Sequence, residues 1–408
     1  MQRLLVLGLS GLCLIAGNLA QAQAQAQKGY ERARFQAPVL PPVPLDEFSF
    51  SHPLTVINHA ELVEVKKRIA ARREPQASSF ARLLIDADAV QSFHPDPPDT
   101  MDIMSGSATN SNQETIIRPW LWRNCHAAYA SALAYAYTGK TNYAAKAVDV
   151  LNAWAARGTT FVGSDRGLQL GSWFSPMLYA ADLLHDYPGW QPADRERFNA
   201  WWRQNCLPFT IEKMHQSDNN WKDASILGVM SASVVLEDKS LMSDALAELQ
   251  SYFQDRTDRH AKIKGAWKIQ KDARGVFLPA EVTRNEGKSG ITYTGYALTT
   301  MAQALEIARY TGHDFWHRQT PEGAGLQGVI EWYFHWDIQN ETFPWNADPL
   351  HFETRKNVFE IANDRFHLPS DIKEWLKANR PVNGAQGDEY STLNKGDIVQ
   401  LETKKNTP

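Results

Sequence analysis

Ala134-Tyr135-Ala136-Tyr137-Thr138-Gly139 closes one Ala-rich run, and Ile307-Ala308-Arg309-Tyr310-Thr311-Gly312 closes another. Both end in Tyr-Thr-Gly, with glycine at the place where a helix turns left-handed and stops. The echo reads as a repeated helical unit or as two unrelated helix ends. Outward from it, helix follows helix. Periodicity begins near Ala60, where Leu62, Val65, Ile69 and Ala70 recur at steps of three and four. Ala127 to Tyr137 is followed by a face of Tyr143, Ala147, Leu151 and Trp154. Trp173–Leu184, Arg195–Cys206, Ser225–Leu236, Leu241–Phe253, Thr292–Tyr310 and Leu326–Trp336 continue the series. Helical hairpins of similar length favour a ring, an all-α, incomplete α/α toroid. Strand-like text is confined to Ala266–Leu278, expected as a small extended or β excursion.

Composition narrows the function classes. The chain has 408 residues, 43% hydrophobic and 22% charged, with 44 aromatic residues that need burial or stacking. Its 42 basic and 46 acidic residues exclude a dedicated nucleic-acid binder. Fourteen tryptophans suit sugar rings as well as a core.

The beginning of the chain reads as an export signal. Arg3 precedes the apolar run Leu4–Ala16, and small residues follow at Ala20 and Ala22, the pattern of a cleaved signal peptide over residues 1–22. The Ala-Gln repeat to Gln27 offers neighbouring cut sites. No later segment is apolar for long enough to span a bilayer, so a periplasmic or secreted protein without membrane insertion is expected. An irregular Pro-rich leader over 23–58 and one domain over 59–408 are expected to follow. Cys125 and Cys206 remain after cleavage and can pair or stay as buried thiols. Two cysteines and twelve scattered histidines without ligand spacing predict neither a metal site nor a cofactor. The long loop Ser92–Arg118, with Pro-Asp-Pro-Pro and a Ser/Asn/Gly tract, reads as a lid.

Two stretches carry polar density beside helices. Ser217-Asp218-Asn219-Asn220-Trp221-Lys222-Asp223 precedes an apolar helix, where an asparagine can cap the first turn. Capping explains one asparagine, not both with Trp221, and amides at a helix start are good donors to a carboxylate. Glu281-Val282-Thr283-Arg284-Asn285 and Lys288 then precede Tyr293-Thr294-Gly295-Tyr296-Ala297-Leu298. Tyr293 and Tyr296 share a helix face. Two core tyrosines would look the same, but the charged loop upstream argues for a site.

Asn219-Asn220-Trp221, Glu281-x-x-Arg284-Asn285 and Tyr-x-x-Tyr-Ala-Leu, in that order, resemble the alginate lyase superfamily of polysaccharide lyases. The similarity runs from about Trp120 to Ala362, and Phe359-Glu360-Ile361-Ala362 looks like the family's closing segment. The resemblance implies a toroid with a cleft for an acidic polysaccharide, cut by β-elimination. A base takes the C5 proton beside the uronate carboxylate, and the bond to O4 breaks. Charge builds on the carboxylate, so preorganised amide or guanidinium donors matter most. The family pattern implies that role for Asn219, Asn220 and Arg284, and acid/base work for Tyr296. An unperturbed tyrosine has a pKa of about 10, and a cation such as Arg284 or Lys288 nearby would favour the phenolate.

The chain departs from the best-known members in carrying Trp221 where they have histidine. Other branches read Asn-Asn-Trp and often carry a histidine where Tyr293 stands here. His126 or His215 can replace the missing imidazole in space, or be structural. Tyr293, Trp221, Lys288, Arg123, Trp173 and His126 are the candidate substrate contacts, with Trp122 a further sugar platform. Alginate is the first expected substrate, with glucuronan or another polyglucuronate next. Two other readings stand beside this one. One is an inverting glycoside hydrolase with Asp223 and Glu281 as separated carboxylates. The other is a non-catalytic polysaccharide-binding or export protein, with no need of Arg284 and Tyr296 together.

Overall fold

The computed structural model describes residues 40–103, 120–217, 219–253, 275, 277, 281, 290–338, 356–382, 384 and 387–398. Among these residues the chain forms fifteen α-helices and one two-stranded sheet. In order they are α1 (His59–Ala70), α2 (Gln76–Ala89), β1 (Thr100–Asp102), α3 (Arg123–Thr138), α4 (Thr141–Arg157) and β2 (Thr160–Val162). Then come α5 (Arg166–Ser172), α6 (Ser175–Leu183), α7 (Pro192–Trp201), α8 (Leu207–Gln216), α9 (Asn220–Val235) and α10 (Lys239–Gln250). The last five are α11 (Gly290–Tyr310), α12 (Leu326–Ile338), α13 (Asn357–Asn363), α14 (Ser370–Asn379) and α15 (Ser391–Lys395).

Contacts run in a circuit. Helix α2 packs on α3, α3 on α6, α6 on α9, α9 on α11, α11 on α13 and α13 on α15, which returns to α2. Helices α4, α8, α10, α12 and α14 flank that circuit as hairpin partners. This is the α/α toroid that the helical text predicts. Helix α9 is buried along nearly its whole circumference, as a helix apolar all round must be.

Local chemistry sets the ends. Asn58 caps α1 by accepting the Glu61 N–H at 2.9 Å. Gly139 and Gly312, the paired Tyr-Thr-Gly endings, both adopt left-handed backbone, with φ of 71° and 89°. The repeated ending is therefore the same physical device used twice.

Six of the described tryptophans are buried in the core. Trp154, Phe174, Trp201, Trp202 and Phe198 interlock, with Trp154 and Phe174 edge-on at 5.0 Å and Phe174 stacked on Trp202 at 5.2 Å. Truncating one such ring to alanine costs about 3–5 kcal/mol. A buried ion lattice joins the two ends of the chain. Glu306 on α11 accepts both arms of Arg365 at 2.6 Å each, and Lys395 on α15 reaches Glu61 on α1 at 2.8 Å. Arg309 pairs with Glu61 and Glu306, so α1, α11 and α15 share one set of charges.

Several boundaries differ from the sequence expectation. The helix expected over Trp173–Leu184 is α6, which starts two residues later because the chain breaks at Trp173 and Phe174 after α5. Arg195–Cys206 leaves the α-helix for a π-turn over Trp202–Cys206 before α8. Helices α2, α5, α8, α13, α14 and α15 are not among the expected ones; α2, α8 and α14 are amphipathic, while α5, α13 and α15 have only five to seven residues, too few to show a period. Cys125 and Cys206 are separate buried thiols. The predicted lid starts as structure, since β1 pairs in parallel with β2, Met101 opposite Phe161; its residues 104–119 lie outside the described set. So does the predicted Ala266–Leu278 excursion, apart from Gly275 and Phe277.

Candidate active site

The site is built where α9, α11 and the break after α5 meet. Asn219 lies in extended backbone and caps α9, its Oδ1 accepting the Trp221 N–H at 3.0 Å. With its oxygen committed to the cap, the amide nitrogen is the end left to donate outward. The next residue, Asn220, is buried and gives its backbone N–H to Glu281 Oε1 at 2.6 Å. A carboxylate at a helix N-terminus is favoured by the helix dipole. That single bond joins the two polar stretches, 61 residues apart in sequence.

Glycines let α5 approach α9. A side chain on Gly171 would meet the Ala224 carbonyl at 2.5 Å, and one on Gly228 would meet Gly171 itself at 2.7 Å. Helix α5 therefore lies directly against α9 and ends beside it. After the break, Phe174 enters the aromatic core while Trp173 donates its indole N–H to the Tyr296 hydroxyl at 2.7 Å. Indole nitrogen is a donor only, so the Tyr296 oxygen is the acceptor in this bond. Tyr296 is 9% exposed, and Tyr293, one turn earlier on α11, is half-buried.

Arg284, Asn285 and Lys288 lie outside the described residues, so the cations expected beside Tyr296 are not placed. Trp221 is half-buried, with Lys213 Nζ 5.1 Å above its ring, a cation that nothing in the sequence singles out. Arg123 and Trp122 are exposed at the start of α3, and Trp122 stacks on His126 at 5.3 Å. His126 Nδ1 meets the Glu389 carboxylate at 3.0 Å. Burial lowers the pKa of His126, but the Glu389 contact outweighs burial and the net shift is upward.

His215 is not poised as a base. Its Nδ1 meets Glu248 and its Nε2 meets Asp244, both at 3.0 Å, and Lys222 also pairs with Glu248. Burial disfavours the charge, yet the two carboxylates overcome it and push the pKa up to about 9. A doubly bonded imidazolium braces α8, α9 and α10. The carboxylates Asp223 and Glu281 are also withdrawn, each 1% exposed. Burial raises Asp223 to about 8, with the Glu281 charge adding to it, and Tyr252 donates to it at 2.7 Å. They stand behind the start of α9 rather than across a water-filled gap.

A cavity of about 980 Å³ lies elsewhere, lined by Arg309, Arg365 and Arg380 among others. Those guanidiniums are engaged by Glu306, Glu360 and Asp397, and none of the motif residues reaches it. The sequence motifs mark the chemistry better than the cavity does. Among the described residues the grouping with metal-ligand chemistry is His52, His185 and Glu237. It sits past the far end of α9.

The toroid thus carries tandem asparagines at the start of α9 and, on the neighbouring α11, a tyrosine tethered by an indole. The alginate lyase family model matches residues 81–343, and the chain belongs to that family, making it a polysaccharide lyase. Solved structures agree on the fold. Alginate lyase A1-III from Sphingomonas species A1 is 17% identical with a TM-score of 0.64, covering 87% of this chain and 99% of that one. An alginate lyase from Bacteroides ovatus is 18% identical with a TM-score of 0.62, covering 85% and 100%. A tyrosine-to-phenylalanine variant of A1-III, 15% identical with a TM-score of 0.62 over 86% and 98%, was solved with a tetrasaccharide. No curated protein sequence matches the chain.

Proposed function

We propose that this chain is an exported lyase that cleaves a uronic-acid polymer, alginate first and polyglucuronate next, by β-elimination. The observation that carries the reading is the Trp173 bond to Tyr296, at the end of an α5 that packs against the helix Asn219 caps. Tyr296, its oxygen held by a neutral donor, acts as the phenolate: it takes the C5 proton, becomes the phenol, and gives that proton to O4 as the C4–O4 bond breaks. The Asn219 amide, Asn220 and Arg284 neutralise the uronate carboxylate as the enolate-like state forms. Trp221, Lys213, Tyr293, Arg123 and Lys288 are the candidate sugar and carboxylate contacts. A His→Ala and a Tyr→Phe variant of A1-III were each solved with a tetrasaccharide, which supports an oligosaccharide ligand for this chain. In this chain Trp221 occupies the position after the asparagines, and the double ion-pairing of His215 disfavours it as the substitute.

The hydrolase reading loses its carboxylates, because Asp223 and Glu281 are buried and Glu281 holds the Asn220 N–H. The test is incubation with a panel of uronate polymers under ultraviolet light. β-Elimination leaves a double bond conjugated to the carboxylate, so absorbance rises with cutting. Reducing ends without absorbance would establish hydrolysis, and binding without either would establish a non-catalytic protein. Export is tested by the mass of the mature chain, expected to begin after Ala22, Ala24 or Ala26.

A further inference from the structure

His52, His185 and Glu237 come from three separate places: the segment before α1, the turn after α6, and the residue after Leu236 at the end of α9. One ligand atom from each lies within 4.8 Å of the others. The second nitrogens are already tied. His52 Nδ1 meets Asp182 at 2.6 Å, and His185 Nδ1 meets Asp186 at 2.8 Å. A carboxylate on the far nitrogen is the arrangement that fixes the tautomer and raises the basicity of a metal-binding imidazole. Asp182 is itself immobilised by Leu54, Thr55 and the Thr55 hydroxyl at 2.7–2.8 Å.

His52 Nε2 is the telling atom. The ring is 5% exposed, and this nitrogen is buried with no hydrogen-bond partner. Its nearest charged neighbour is Glu237 Oε1 at 3.7 Å, too far for a hydrogen bond. Ligand atoms around a tetrahedral zinc stand about 3.3 Å apart, from metal–ligand distances near 2 Å. The gap suits an ion between them better than a direct bond. Glu237 also holds φ at 50°, the left-handed helix stop where glycine is usual, which keeps a carboxylate facing His52.

We propose that His52, His185 and Glu237 form a structural site for a divalent transition-metal ion, with zinc as the representative and water in the fourth position. The two rings lie stacked at 3.7 Å and 9°, so the outer ring must tilt for both lone pairs to converge. His185 has that freedom, because its ring is 25% exposed and Asp186 is 86% exposed. The ion clips the 52–55 segment to the ends of α6 and α9. Helix α9 has 16 residues and is about 24 Å long, with Asn219 before its first residue and Glu237 past its last. The site is remote from the elimination chemistry and acts on stability.

The experiment is calorimetric titration of zinc chloride into the chelator-treated full protein, beside His185→Ala and Glu237→Gln. One ion per chain is expected for the parent, with at least a tenfold loss of affinity in each variant. Melting temperature should rise by about 5 °C at a hundredfold excess of zinc over its Kd, in the parent alone. Lyase rate should be the same with and without zinc. Absence of saturable one-to-one binding, or equal affinity in both variants, would overturn the site. A zinc-dependent rate would overturn its purely structural role. Both variants alter exposed or part-exposed side chains, so folding is checked independently by their zinc-free melting.

Discussion

Helix α11 has two polar ends, and they are organised in opposite ways. Toward its C-terminus, Glu306, Arg309 and Tyr310 belong to the lattice with Glu61, Arg365 and Lys395, where every charge faces an opposite one. Burial would raise the pKa of Glu306, but Arg365, Lys395 and Arg309 outweigh it and hold the carboxyl well below its usual range. Toward its N-terminus, ten residues earlier, Tyr296 is held by the neutral indole of Trp173. An internally matched ion set locks architecture and has no charge state left to change. A group that must take and return a proton is held instead by a donor that orients it without fixing its charge.

The comparison breaks first at Tyr296. Tyr296→Phe removes one oxygen and keeps the ring, so kcat should fall by about 10²–10⁴-fold while melting temperature moves little. Tyr293→Phe, on the same face, should be much milder. Arg284→Ala should raise KM as well as lower kcat, since a carboxylate contact acts in both ground and transition states. A dead Tyr293→Phe enzyme beside an active Tyr296→Phe enzyme would assign the chemistry to the other tyrosine.

At the opposite end the expected loss is stability. Glu306→Gln leaves Arg365 and Lys395 facing an uncharged amide in a fully buried lattice, costing about 3–5 kcal/mol. Denaturant titration reads that loss, and kcat per folded molecule at low temperature should be unchanged. A kcat that falls with Glu306→Gln would mean that the two ends of α11 are coupled.

His215 sharpens the contrast through pH. Its folded pKa of about 9 lies above its ordinary 6.5, so its contribution is complete below pH 6.5 and fades as pH rises through 9. The contribution is about 3 kcal/mol, since the ring is 4% exposed and each unit is worth about 1.4. His215→Gln should remove that alkaline slope in unfolding titrations. Glu248, held at about 2 despite burial by His215 first and then Lys222, should in the same variant lose part of its acid slope, which fades from pH 4.5 toward 2 in the parent. An unchanged alkaline slope in His215→Gln would mean that another group titrates there.

Legibility followed locality. The ring of helices could be read because helix periodicity and glycine stops are written in adjacent residues. The order Asn-Asn-Trp, Glu-x-x-Arg, Tyr-x-x-Tyr was visible for the same reason. What the text could not show was who meets whom. Glu281 as the anchor of Asn220, His215 inside a carboxylate pair, and His52 beside His185 are all contacts across more than 25 residues. Histidines that look scattered along the chain are adjacent in space. Charge type was readable, but partnership was not.

Trp173 is the smallest and most discriminating case, because the sequence suggests a sugar platform and the structure gives its N–H to Tyr296. The two roles separate by substitution. Trp173→Phe keeps an aromatic face and deletes one neutral hydrogen bond, worth about 0.5–1.5 kcal/mol. If the indole positions the phenol, kcat falls by about 3–10-fold and KM holds. If it is a platform, phenylalanine is nearly silent and Trp173→Ala raises KM instead. A Trp173→Phe enzyme with parental kcat would leave Tyr296 oriented by other neighbours, and the contrast between the two ends of α11 would then rest on charge alone.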